Sequence, residues 1–109
     1  MIEKHLGKIT KAEFGQIPDR DFLFGLQLTF AFDGKGCSDG GRCTVNICDE
    51  CKWEFPSERS KAFEKLADEV NRILTDAKCH YVSELVGKPV EISIEHNIFD
   101  SFRILTEVL

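Results

Sequence analysis

Phe22-Leu23-Phe24-Gly25-Leu26-Gln27-Leu28-Thr29-Phe30-Ala31-Phe32 puts a large apolar side chain at every second position. A period of two is the signature of a β-strand, whose side chains alternate between faces. One face is therefore a continuous stripe of Phe22, Phe24, Leu26, Leu28, Phe30 and Phe32. Leu23, Gly25, Gln27, Thr29 and Ala31 form a more mixed second face. The stripe must be covered, because an exposed row of this size would drive aggregation.

Working outward from this strand, residues 4–14 mix apolar and charged positions and read as a first strand ending at Gly15. Gln16-Ile17-Pro18-Asp19-Arg20-Asp21 between the two reads as a turn, with Pro and Asp fixing the bend. Residues 33–42 hold four of the eight glycines and read as a flexible loop. Cys43 to Ile47 is β-prone and returns as a third strand, and Cys48 to Phe55 is an irregular connection ended by Pro56.

The period then becomes helical. Ser57 suits an N-cap and Glu58 places negative charge in the first turn. Phe63, Leu66, Val70, Ile73 and Ala77 share one stripe, widened by Ala67 and Leu74. This predicts a helix from Glu58 to Lys78, about 30 Å long. Ser83 to Val86 suits a short helical turn stopped by Gly87 and Pro89. Two closing strands follow. Val90, Ile92 and Ile94 alternate with polar residues, His96-Asn97 suits a hairpin turn, and Phe102, Ile104, Thr106 and Val108 alternate again. The order βββ-α-ββ predicts one α+β domain over residues 1–109, an antiparallel sheet with one long helix on its apolar face.

Charge narrows the function classes. Lys and Arg number 14 and Asp and Glu 19 among 109 residues, for a net charge of −5. The acidity is spread along the chain, so no basic stripe marks a phosphate-backbone binder, and a nucleic-acid partner is not expected. No run approaches the roughly 20 apolar residues of a membrane helix. Met1-Ile2-Glu3-Lys4-His5 lacks the basic and apolar regions of a secretory signal.

The sharpest local feature is a cysteine cluster. Cys37, Cys43, Cys48 and Cys51 are spaced C-x5-C-x4-C-x2-C. Four thiolates would close a tetrahedral structural zinc site, and Cys48-Asp49-Glu50-Cys51 has knuckle spacing. His5, His80 or Cys79 could replace one ligand. The odd count of five and the absence of an export signal favour reduced thiols, with or without metal, over a disulfide framework. Unpaired thiols on a Gly-rich hairpin are the competing reading. A redox C-x2-C site fits less well, because Asp49 and Glu50 would raise the thiol pKa values. Cys79 lies one residue past the helix and reads as a structural thiol.

No catalytic constellation emerges. Asp19, Asp21, Asp33 and Asp39 stand where turns favour Asp for backbone reasons. Gly34-Lys35-Gly36 lacks the pattern of a phosphate-binding loop. Trp53 and Phe55 are candidates for an interface anchor or for a plug on the core's edge. The candidate partner-binding residues are Trp53 and Phe55, Lys35 and Arg42 in the Gly-rich loop, and Leu105 on the second face of the sheet.

Several segments resemble a family of small, largely uncharacterised phage and prophage proteins. They are Lys4-His5-Leu6-Gly7-Lys8-Ile9, Lys52-Trp53, Val70 to Lys78, Gly87-Lys88-Pro89-Val90-Glu91 and Phe102 to Leu109. The middle loop departs from that family's pattern, which carries Gly and Trp where this chain has cysteines. The resemblance implies a phage or prophage origin and a bacterial cytoplasmic setting. Small size and the lack of a catalytic constellation favour a non-enzymatic binding protein. Its partner would be a host or phage protein, such as a CRISPR effector of host defence. A phage assembly protein that oligomerises and a small-ligand-binding domain are the alternatives.

Overall fold

The computed structural model describes residues 2–18, 20–39, 43–47 and 56–109. Its elements run β1 (Ile2–Ile17), β2 (Arg20–Phe32), β3 (Lys35–Ser38), β4 (Cys43–Asn46), α1 (Pro56–Asp76), β5 (Pro89–Glu95) and β6 (Ile98–Ile104). The fold is α+β, an antiparallel sheet with one helix. The strand order is β3-β2-β1-β5-β6, and β4 also pairs with β2.

The middle of the period-two stripe of β2 faces the core, while Phe22 at its start is exposed. Leu26, Leu28 and Phe30 are fully buried. Ile9 and Ala12 of β1 stand opposite Phe30 and Leu28, so the two strands share an apolar inner face. The register slips between Ile9 and Lys11. This bulge at Thr10 shifts the inward parity, so that Ile9 before it and Ala12 after it both stand on the inner face, while Ile2 and Leu6 stay exposed on the outer one.

β3 corrects the reading of residues 33–42 as a flexible loop. Asp33 and Gly34 both have positive φ (50° and 74°), the geometry of a two-residue hairpin turn. The chain doubles back there, and Lys35 to Ser38 pair with Phe32 to Thr29. His96 and Asn97 make the same kind of turn between β5 and β6 (φ 52° and 62°). Gly25 allows β4 to approach, since a methyl group there would collide with the Cys43 carbonyl and the Thr44 Cα.

α1 begins at Pro56, whose missing N–H would have no helical partner in a first turn. Ser57 therefore lies inside the first turn and is not the N-cap. Leu66, Ile73 and Ala77 are buried. The helix ends two residues earlier than its periodicity predicts. Lys78 adopts φ 57°, the Cys79 N–H donates to the Leu74 carbonyl (2.9 Å) and the Lys78 N–H to that of Thr75 (3.1 Å). This is a Schellman cap with Lys in the usual glycine position.

A 3-10 turn at Val82–Leu85 buries Leu85. It leads into two bonds with β1: Gly87 N–H to the Ile9 carbonyl (2.6 Å) and Ile9 N–H to the Lys88 carbonyl (3.0 Å). On β6 the register slips at Asp100, which kinks the edge strand. β6 ends at Ile104, and Thr106–Val108 form a second 3-10 turn.

The sheet curls. Phe30 of β2 meets Phe102 of β6 at 4.9 Å and Phe99 at 5.5 Å, although β1 and β5 lie between those strands in the sheet. The inner face thus wraps a single core, closed by α1 and by Cys79 and Leu85. Among the described residues, no helix is long and apolar enough to cross a membrane.

Candidate functional site

The longest strands build an apolar concavity. β5 pairs with β1 only from Ile2 to Lys8, whereas β2 pairs with it from Lys8 to Ile17. On the β1 side the hairpin therefore runs on past β5, while on the β2 side β4 pairs with Leu23–Leu26. On its inner face, Phe14 packs edge-on against Phe24 with ring centroids 5.2 Å apart. Opposite them α1 presents Phe63, Leu66, Ala67, Val70 and Leu74. Between the two lies an open groove of about 380 Å³, with Asn71 as its polar rim. That volume lies within the range of ligand sites. Phe14 is 48% exposed and Phe22 43%. The Arg59 guanidinium stacks over the Phe63 ring at 5.6 Å, holding a positive charge beside one wall.

A second cleft, of about 280 Å³, lies on the opposite flank of α1. Phe99 and Phe102 form its apolar wall, and Asp39, Lys65, Glu69, Arg72 and Ser101 bring polar groups to it. Arg72 bonds Glu69 at 2.9 Å and Asp76 at 3.4 Å. The bond to Glu69 holds its guanidinium above the ordinary arginine value. Asp39 continues the pairing with β2. Its N–H donates to the Leu28 carbonyl at 3.0 Å, prolonging the pairing beyond β3, and only 2% of the residue is exposed.

The predicted zinc ligands divide. Cys37 stands opposite Phe30 and Cys43 opposite Leu26, both on the inner face of the sheet. Those partners are four positions apart on β2, about 13 Å along an extended strand. Cys48 and Cys51 lie outside the described residues. Among the described residues, no group of three or more His, Cys, Asp or Glu side chains is placed to hold an ion. Burial pushes the Cys37 thiol above its ordinary value. Cys79 is buried in the core with its Sγ 3.5 Å from the carbonyls of Ala77 and Glu84, as a structural thiol would be.

Other predicted residues are placed as follows. His5 stacks on Phe32 at 4.7 Å, with Nδ1 3.3 Å from Asp33 and Nε2 3.5 Å from Glu3. Lys35 is exposed at the start of β3. Arg42, Trp53 and Phe55 lie outside the described residues. Leu105 is a correction. It was expected on an exposed face, yet only 8% of it remains exposed. Its N–H bonds the Pro89 carbonyl at 3.0 Å as the chain leaves β6. It cannot serve as a surface anchor.

Phe14 and Phe63, on facing walls of the groove, were missed as site residues. Phe63 stands on the apolar stripe of the helix, and Phe14 ends a first strand of mixed apolar and charged residues. The available signal was length, since a first strand continuing past Gly15 must outrun its neighbours.

The outer face is polar by comparison. Glu91 links Lys4 (3.9 Å) and Arg103 (3.2 Å), and Arg103 reaches Glu107 at 3.1 Å. No protein-family description, curated protein or solved structure matches the chain.

Proposed function

We propose that this chain is a non-enzymatic binding protein that seats a partner protein in the groove between α1 and the β1–β2 hairpin. The observation that carries this reading is the groove itself. Seven apolar side chains line it: Phe14, Phe24, Phe63, Leu66, Ala67, Val70 and Leu74. It stays open beside a Phe14 that is nearly half exposed. Apolar surface of this kind, rimmed by polar residues, is what a protein interface uses. The sequence resemblance adds that the partner is a host or phage protein in a bacterial cytoplasm, with a host-defence complex as the leading class.

Affinity capture from bacterial lysate tests this, using the tagged chain beside its Ala67→Arg variant. Ala67 is exposed on the groove wall, and Arg is a good helix former, so the fold is kept while the groove is filled. A stoichiometric partner held by the parent chain and lost from the variant is expected. Equal retention by both, or no partner at all, overturns the reading.

One observation favours a second reading. The cleft beside Asp39, Lys65, Glu69 and Arg72 combines an aromatic wall with convergent polar groups, as a small-molecule site does. A thermal shift with nucleotides or common metabolites would support that reading, and no shift across such a panel would remove it.

A further inference from the structure

We infer that the groove takes its partner as an extended segment, which adds to the free edge of β1 as a further strand. The inference rests on the protein-binding reading of that groove. It follows from where the pairing of β1 stops. On the side away from β2, β1 carries β5 as far as Lys8, and the connection at Gly87 and Lys88 satisfies Ile9. From Lys11 to Gln16 that edge meets no strand among the described residues. Lys11, Glu13, Phe14 and Gln16 are exposed along it. A free edge offers a row of backbone donors and acceptors to an incoming strand.

The edge and the groove adjoin, because Phe14 belongs to both. A helical partner would use the groove and leave the edge groups unpaired. An extended one uses both. Its alternate side chains would follow the two faces of β1. Those level with Ala12 and Phe14 enter the groove against Ala67, Val70 and Leu74. Those between them stand on the outer face beside Lys11 and Glu13, which pair with each other at 3.4 Å. The ligand class is therefore a segment with apolar residues at alternate positions. An acidic residue should stand level with Lys11 and a basic one level with Glu13, since opposite charges across strands are favoured.

A random dodecapeptide display library, selected on the full chain, tests this. The expected outcome is enrichment of peptides with alternating apolar residues. Their affinity should fall by about tenfold or more in Ala67→Arg. N-methylation of alternate peptide nitrogens should abolish binding in one phase of alternation and spare it in the other. Lys11→Glu, an exposed change, should replace the acidic preference with a basic one. Binding that Ala67→Arg weakens but N-methylation ignores would overturn strand addition and leave the groove reading intact. No enrichment, or peptides indifferent to Ala67→Arg, would overturn the inference outright. A chain that binds such peptides yet captures no partner would isolate the failure in the proposed function.

Discussion

Glu107 and Arg103 show what single residues hold at the surface. Glu107 accepts bonds from both terminal nitrogens of Arg103 (3.2 and 3.1 Å), which hold its carboxyl below the usual glutamate value. A carboxyl depressed in the folded state lends stability above its unfolded pKa, near 4.3. That contribution is lost as pH falls through the folded value. Arg103→Ala should raise the Glu107 titration midpoint toward the ordinary value, read by carboxyl NMR. An unmoved midpoint would mean that the ion pair does not form in solution. At this scale the sequence was legible where a side chain follows its element and misleading where the element stops. Leu105 was placed outward by extending the alternation of β6, but that strand ends at Ile104 and parity ends with it. Asp39 was read as a turn residue because nothing local shows that the chain stays beside β2.

Elements were legible in proportion to the length of their periodic signal. β2 and α1 carry long apolar repeats, and both form, with the ends of α1 shifted by two residues. β3 has four residues and no alternation to show. Its real signal was the Asp33-Gly34 turn, a strong hairpin dipeptide hidden among further glycines. The helix C-terminus was overrun for a related reason. Residues up to Lys78 suit a helix, and only the positive φ at that position stops it. A side chain in the left-handed region is strained where glycine is not. Lys78→Gly should therefore stabilise the fold by about 0.5–1 kcal/mol, the usual scale of such a relief. Chemical denaturation would check this. A loss of stability would show that the Lys78 Nζ bond to the Leu109 carbonyl, 3.2 Å long, matters more than the backbone.

The molecule as a whole depends on contacts that no local pattern encodes. Strand order, the curl that brings Phe30 to Phe102, and the unequal lengths of β1 and β5 are long-range facts. The α+β class was legible because one helical period among strands admits few packings. The groove was not, because it arises where β1 runs on past β5 and α1 faces the inner side of Phe14 and Phe24. The cysteine cluster drew attention to the middle of the chain, while the concavity formed at residues that read as plain core. The groove's claim to function lies in its apolar walls beside an edge that meets no strand among the described residues.

Hydrogen–deuterium exchange of the full chain, free and saturated with its captured partner or a selected peptide, tests that claim most directly. Amides that gain a strand partner or lose solvent become protected. Protection is expected at Lys11–Gln16 and on the 63–74 face of α1, and nowhere else. Protection that falls on β6 or the outer face of β2, or is absent at Lys11–Gln16, would contradict it.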